Sequence, residues 1–382
     1  MKFIDFFAGI GGFRRGMELA GHECVGFCEF DKFATASYTS MHLLTQEQRE
    51  SLDKMPLKQR QKEILKEEYR NGEWYANDIR RVYAGDIPKA DCWCFGFPCQ
   101  DISVAGKQAG FQGNRSSLFF RVMYLVGQLK EEDKPTYLFT ENVKNLLSVN
   151  GGWDFARLLI EMEQCGYDAE WQVLNSKDFG VPQNRERCFI IGHLRGRDSA
   201  EVFPVERADR EDSIQTIGHR DGYRRIHIAQ DGITEALSTC QGGGREHHVA
   251  LPCFIDLCYE GSKMTEQARC LTARYYKGVA NHAGQDSGIA IKVRGYSECR
   301  VGIFVKVSDE LIVYAVWYEK YQCYIAIRKL TPKECFRLQG WTDDYFEKAE
   351  FVNSDSQLYK QAGNGVTVSV IEAIAKKMEE KT

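Results

Sequence analysis

Cys99 lies in the segment Gly96-Phe97-Pro98-Cys99-Gln100, directly behind the apolar run Cys92-Trp93-Cys94-Phe95. A thiol just past a buried strand, held behind a proline, sits where open α/β sheets present reactive groups. It is a candidate nucleophile. Packing as a small hydrophobe is the other fate open to any of the chain's fourteen cysteines. Glu141 ends a second strand-like run, Tyr137–Thr140, which predicts a carboxyl at the same sheet edge, able to donate a proton during nucleophilic attack. A strand-end acid facing solvent is the alternative there. Arg185 and Arg187 alternate ahead of the run Cys188–Gly192, so both guanidiniums fall on one side. They suit a phosphate or a pyrimidine carbonyl, or else a solvated strand edge.

A second constellation lies at the N-terminus. Phe7-Ala8-Gly9-Ile10-Gly11-Gly12 follows a strand-like run and opens a helix, so its glycines let backbone approach a ligand at a helix N-terminus. A nicotinamide fingerprint needs a third glycine at position 14, where this chain has Arg14. Glu29 ends the next strand, where a carboxylate can hold both ribose hydroxyls, and Phe30 beside it can stack on an adenine ring. Together these indicate an adenosine-containing cofactor without saying which.

The elements that must position these groups alternate in type. Lys2–Ala8, Glu23–Glu29, Thr136–Glu141 and Cys188–Gly192 read as strands. Gly12–Ala20, Lys32–Met41 and Leu118–Lys130 read as helices. Such alternation predicts an α/β fold with a doubly wound, mostly parallel sheet of Rossmann-like type. The charged stretch from Thr45 to Arg70 reads as a solvated surface helix. After Leu194 the texture changes, and six of the eight histidines fall between His193 and His282. Short β-like runs follow at Gly302–Val307 and Leu311–Trp317. Two segments there look related, Thr234–Thr239 and Ala268–Ala273. The expected division is a first domain of 1–195 and 356–382, and a smaller, mainly β, loop-rich lobe over 196–355. Val366–Lys381 regains helical periodicity.

The bulk numbers bound the class. A chain of 382 residues with 43% hydrophobic and 27% charged content is an ordinary globular composition. No window approaches the 18 or so apolar residues of a membrane span. Asp5 interrupts the N-terminal apolar run, which argues against a secretion signal and for reduced thiols. The cysteines lack zinc-site spacing, so neither a metal nor a disulfide is expected. A net charge of −4 neither proves nor excludes a nucleic-acid partner, because affinity follows clustered Lys and Arg and not the sum.

These blocks, in this order, resemble the cytosine-C5 DNA methyltransferase family of bacterial or phage type. Besides the segments above, Arg328-Lys329-Leu330-Thr331-Pro332 with Glu334-Cys335 and Arg337-Leu338-Gln339-Gly340 is similar to the block that organises the recognition lobe. Tyr359–Val366 resembles the final block, which returns to the cofactor, with Gly365 where a serine is frequent. The resemblance implies a methyltransferase fold with 196–355 as target-recognition domain, and S-adenosyl-L-methionine as cofactor. Its contacts would come from Phe7, Ala8, Gly9, Gly11, Gly12, Glu29, Phe30, Asp78, Ile79, Gly96, Pro98, Leu118, Asn364 and Val366. Asp86-Ile87 competes with Asp78-Ile79 for the adenine contact, and register from Cys99 favours Asp78.

For catalysis the resemblance implies that Cys99 adds to C6 of cytosine, so that C5 can take the methyl group. Glu141 would share a proton with N3, Arg187 would hold O2, and Arg185 a phosphate or the active-site loop. A duplex hides C5 and C6, so the base must be flipped out. Phe97, Pro98, Gln100, Ser103 and Asn142 would line the flipped base, with Tyr223 and Arg224 as candidates for the loop filling the gap. The implied partner is double-stranded DNA, with a cognate restriction endonuclease acting separately. The protein would be a monomer in the bacterial cytoplasm. A tRNA cytosine methyltransferase on the same fold, or a non-catalytic DNA-binding scaffold, are the alternatives. The first would carry a Cys-Phe-Thr segment that is absent here, and the second would have lost Cys99, Glu141 or an arginine.

Overall fold

The computed structural model describes residues 1–97, 117–206, 254–257, 263–265, 268–270, 286–293, 303–308, 311–318, 323–328 and 330–379. In chain order the elements are β1 (Lys2–Phe6), α1 (Gly12–Leu19), β2 (Glu23–Cys28), α2 (Lys32–His42), α3 (Gln46–Asp53), α4 (Leu57–Glu63), β3 (Trp74–Ala76), β4 (Cys92–Gly96) and α5 (Ser117–Gln128). There follow β5 (Tyr137–Val143), α6 (Trp153–Gln164), β6 (Tyr167–Asn175), the two-residue β7 (Gln183–Asn184) and β8 (Glu186–Leu194). Next come β9 (Phe254–Leu257), β10 (Lys263–Thr265), β11 (Ala268–Arg269), β12 (Asp286–Val293), β13 (Ile303–Ser308), β14 (Leu311–Tyr318) and β15 (Cys323–Arg328). The chain ends in α7 (Pro332–Arg337), α8 (Asp343–Glu350), α9 (Asp355–Asn364) and α10 (Val368–Glu379).

The main sheet has the strand order β3-β2-β1-β4-β5-β8-β6 among the described residues. Pairings from β3 to β5 are all parallel, whereas β8 runs antiparallel to both β5 and β6. The mostly parallel sheet expected from the alternation is therefore present, with one reversed strand. Its central strands are apolar on both faces because helices cover both. Period-two alternation sorts the side chains into two cores. Ile4, Phe6, Trp93, Phe95, Leu138 and Ile190 pack with α5 and α6 through residues such as Val122, Val126, Leu158 and Met162. Phe3, Cys92, Cys94, Phe139 and Ile191 pack with α1 and α10 through Phe13, Met17, Val370, Ile371 and Ile374. Cys92 and Cys94 are thus core residues, as their spacing within β4 requires.

The 45–70 stretch is not one solvated helix. It forms α3 and α4, and Leu52, Ile64 and Tyr69 bury a small core of their own with Ala36 and Val352. Charged residues cover the outside of that core, and the three apolar side chains are too widely spaced to show as a stripe. The sequence reading also passed over β3, α6 and β6.

The chain divides into two compact units. The larger comprises Met1–Ala208, Arg269–Asn281 and Leu330–Thr382, and the smaller Asp209–Ala268 and His282–Lys329. Both limits expected from composition, 195 and 356, fall inside the larger unit. Residues 196–206 strap along β6, where Glu170 accepts from the backbone N–H of Val202 (2.7 Å) and Phe203 (3.0 Å). Leu330 to Ser354 is held on α2: Ser40 Oγ donates to the Lys348 carbonyl (2.6 Å), and Asn353 Nδ2 to the Phe33 carbonyl (2.9 Å) and Ser37 Oγ (2.8 Å). The smaller unit contains an antiparallel sheet ordered β10-β9-β12-β15-β14-β13.

Candidate active site

The glycine loop links β1 to α1. Phe7 takes a left-handed φ of 54°, a conformation that costs a side-chain-bearing residue energy and clusters at functional sites. Gly9 and Gly11 follow at φ 56° and 84°. Three side chains fix the loop from behind. Asp5, fully buried on β1, accepts from the Arg14 backbone N–H (3.3 Å), so a strand residue serves the helix start in place of a side chain at Gly11. Burial holds its carboxyl well above the usual range. The Arg14 guanidinium donates to Glu73 (2.7 Å) and Glu18 (2.7 Å). The residue that excludes a nicotinamide fingerprint is thereby an internal anchor tying α1 to the approach of β3. Val366, from the last loop, packs against Gly12.

Glu29 receives the Gly9 N–H on one carboxyl oxygen (2.7 Å) and the Asp31 N–H on the other (2.7 Å). Burial raises its pKa, and those two backbone donors oppose the rise. Next to it Phe30 is 67% exposed, a large apolar ring left at the surface. It borders a cavity of about 420 Å³ lined also by Ala76, Asn77, Asp78, Arg80, Arg81 and Val82. Asp78 stands on this cavity and caps the following turn (Ile79–Arg81), while Asp86 lies outside the lining. Arg80 grips Asp78 through two short contacts, Nε to Oδ1 and Nη2 to Oδ2, both 2.8 Å, and its hydrogen bond lowers the Asp78 pKa. The same guanidinium lies 5.6 Å from the Phe30 ring centre. Ile79 is buried in the core and not on the cavity.

The second cluster forms where β4, β5 and β8 end side by side. Parallel register places Gly96 opposite Glu141, and antiparallel register places Val143 opposite Arg187. Glu141 and Arg187 meet as an ion pair at 3.0 Å with both side chains largely buried. Asn142 is buried and donates to the Phe97 carbonyl (3.1 Å), locking the end of β4 to β5. Arg185 is also buried. Its Nη2 donates to the carbonyls of Gly365 (2.8 Å) and Gly363 (3.4 Å), and its Nη1 to Cys270 Sγ (3.1 Å). Of the two partners expected for Arg185, a phosphate or the active-site loop, neither lies among the described residues, and the contacts seen there hold its guanidinium on backbone carbonyls and a thiol.

Leu118 sits half-buried in the first turn of α5, and Asn364 is exposed at the end of α9. Pro98, Cys99, Gln100, Ser103, Tyr223 and Arg224 lie outside the described residues. Arg80 and Cys270 were missed by reasoning from the sequence. Arg80 adjoins the Asp-Ile pair and carried a readable signal, a cation two residues from the candidate adenine contact. Cys270 lies in one of the two related segments but was assigned to the recognition lobe. Among the described residues no group of three or more His, Cys, Asp or Glu is placed to hold a metal ion, and no helix is long and apolar enough to cross a membrane.

Comparison with known proteins bears on the whole chain. The family described as C-5 cytosine-specific DNA methylase matches residues 1–65 and 55–380. The Type II methyltransferase M.HhaI of Haemophilus parahaemolyticus is 31% identical over 98% of this chain and 93% of its own. M2.ScrFI of Lactococcus lactis subsp. cremoris, also a Type II methyltransferase, is 28% identical over 99% of both. Among solved structures, the S. pombe Dnmt2 methyltransferase aligns with a TM-score of 0.55 over 98% of this chain and 96% of that one. At 16% identity that likeness speaks for the fold alone. Family blocks, strand order and full-length similarity converge, and the chain belongs to the C-5 cytosine-specific DNA methylases.

Proposed function

We propose that the protein transfers a methyl group from S-adenosylmethionine to C5 of a cytosine flipped out of duplex DNA, with Cys99 as the nucleophile. The observation that carries this reading is the Glu141–Arg187 pair beside Gly96 and Phe97. It puts a carboxyl and a guanidinium at the strand end from which Cys99 is only three residues away along the chain.

The residues around the first cluster fit the cofactor. The loop from Phe7 to Gly12 brings left-handed backbone to a helix N-terminus, Glu29 offers a carboxyl for ribose hydroxyls, and the 420 Å³ cavity offers Phe30 and Asp78 for an adenine. When bound, the cofactor supplies an electrophilic methyl on a sulfonium sulfur. Cys99 as thiolate adds to C6 and makes C5 nucleophilic. A free thiol with pKa ~8.5 is only a few per cent ionised at neutral pH, so the site must favour the anion. Glu141 shares a proton with N3 and offsets charge on the ring, and Arg187, held by Glu141, presents its guanidinium to O2. Loss of the C5 proton and departure of Cys99 complete the reaction. Arg185 organises the site by tying the junction of β7 and β8 to the end of α9 at Gly363 and Gly365.

The target-recognition role belongs in this reading to the smaller unit, which would supply phosphate and base contacts. The protein would work as a cytoplasmic monomer, with any cognate endonuclease acting separately. The test is methylation of a plasmid in cells, read by bisulfite sequencing, with the intact protein and with Cys99→Ser. New 5-methylcytosine at a defined sequence with the intact protein only is the expected result. No new 5-methylcytosine refutes the activity, and methylation persisting in Cys99→Ser refutes the mechanism.

A further inference from the structure

The methyltransferase reading gives Cys270 no task, yet its thiol stands inside the catalytic cluster. It follows β11 in the returning segment Arg269–Asn281, which belongs to the larger unit. Its Sγ accepts from Arg185 Nη1 at 3.1 Å and from Arg187 Nη2 at 3.5 Å. Arg187 is thereby gripped at all three nitrogens. Nε is on Glu141 (3.0 Å), Nη1 is on the Glu186 carbonyl (2.8 Å), and Nη2 is on this sulfur. Arg185 is held in the same manner between the sulfur and the end of α9 at Gly363 and Gly365.

We propose that Cys270 is a positioning residue for catalysis, a shared acceptor that holds the two guanidiniums together and keeps Arg187 aimed from Glu141 toward the base. Two like charges two residues apart, Arg185 between β7 and β8 and Arg187 in β8, repel each other, and here burial weakens the screening that water would provide. A polarisable acceptor between them offsets that repulsion and fixes which way each fork faces. Glu141 balances Arg187 from the other side, and the Cys188 thiol and Arg185 are further titratable groups near Glu141 among the described residues. Burial alone would raise the Cys270 thiol, but Arg185 and Arg187 outweigh it and bring the thiol below its ordinary value. With both guanidiniums donating to it, the sulfur is a charge-assisted acceptor.

This inference rests on the methyltransferase reading for its catalytic meaning, and two measurements separate the two. In the full-length wild-type protein, alkylation by iodoacetamide is followed at Cys270 by peptide mass spectrometry across pH. Half-maximal reactivity below the ~8.5 of a free thiol is expected, and a value at or above it overturns the proposal whatever the enzyme does. Single-turnover methyl transfer is then compared in wild type, Cys270→Ala and Cys270→Ser. Alanine is expected to slow transfer about tenfold while binding of S-adenosylhomocysteine stays within about twofold. Serine, whose hydroxyl also accepts, should recover most of the rate. Equal rates in alanine and wild type, or equal losses in alanine and serine, overturn the positioning role. A wild-type protein that methylates no DNA instead refutes the proposed function, and the alkylation profile still decides the arrangement around Cys270.

Discussion

Substituting alanine at Gly9 and at Gly11 separates backbone strain from steric collision within one loop. Both residues have left-handed φ values, 56° and 84°. A non-glycine residue pays about 1–2 kcal/mol for that conformation. At Gly9 an added Cβ meets nothing within 4 Å, so Gly9→Ala should destabilise the larger unit by only about 1–2 kcal/mol. At Gly11 the same atom runs into His42 Nε2 and comes within 3.0 Å of Tyr38 Cε2. Neither neighbour can yield cheaply. His42 donates to the Ile10 carbonyl (3.0 Å) and packs on Trp341 and Tyr345, and Tyr38 stacks on Phe27 at 3.9 Å. Overpacking of this kind adds about 1–3 kcal/mol, for a total of about 2–5 kcal/mol at Gly11. Urea unfolding, compared by midpoint at unchanged slope, measures both variants. Calorimetric titration with S-adenosylhomocysteine should show weaker binding in each, since both alter the loop that would face the ligand. If Gly11→Ala costs no more stability than Gly9→Ala, the steric reasoning about this loop is wrong.

Three further outcomes follow from the same geometry. Phe30→Ala should leave unfolding midpoints within about 0.5 kcal/mol, because the ring is exposed, yet weaken S-adenosylhomocysteine binding about tenfold by calorimetry. Unchanged binding would remove Phe30 from the adenine site. Arg187→Ala deletes a charge-assisted hydrogen bond to Glu141, worth ~2–3 kcal/mol, and should slow single-turnover methylation about 100-fold with S-adenosylhomocysteine affinity retained. A rate within about threefold of wild type counts against its role at O2. Burial and the nearby Arg14 hold His42 well below its ordinary pKa, so the unfolded chain binds this proton first. Stability from His42 is therefore complete above the unfolded value of about 6.5 and falls as pH drops below it, by up to ~1.4 kcal/mol per pH unit. His42→Gln, which keeps a donor for the Ile10 carbonyl, should flatten the loss between about pH 6.5 and 5 in urea titrations. An equally steep loss in the variant would assign the acid sensitivity elsewhere.

Much of the fold was legible because local pattern and tertiary role agree. β1, β2, β4 and β5 are short apolar runs covered on both faces, and each run announces itself. β6 escaped notice because its outward residues, among them Asp168, Glu170 and Gln172, are polar and break the run. The domain limits misled for a related reason. Composition changes at 195, but the 196–206 strap stays with the sheet through Glu170 and Gln172, contacts formed between segments about thirty residues apart.

Residue types and their order along the chain set out the chemistry on offer. The chain holds a thiol, a carboxyl and two arginines at strand ends, a glycine loop with an acid one strand later, and blocks whose order marks the family. Residue type and spacing along the chain suffice for that, since a strand end or a loop is a local property. How those groups are used depends on contacts made in the folded chain. Register across β5 and β8 made Glu141 and Arg187 partners, the end of α9 took up the Arg185 guanidinium, and the returning segment brought Cys270 between the two arginines. These are meetings of residues up to 180 positions apart along the chain. Their energies depend on burial and direction, which a linear pattern does not carry.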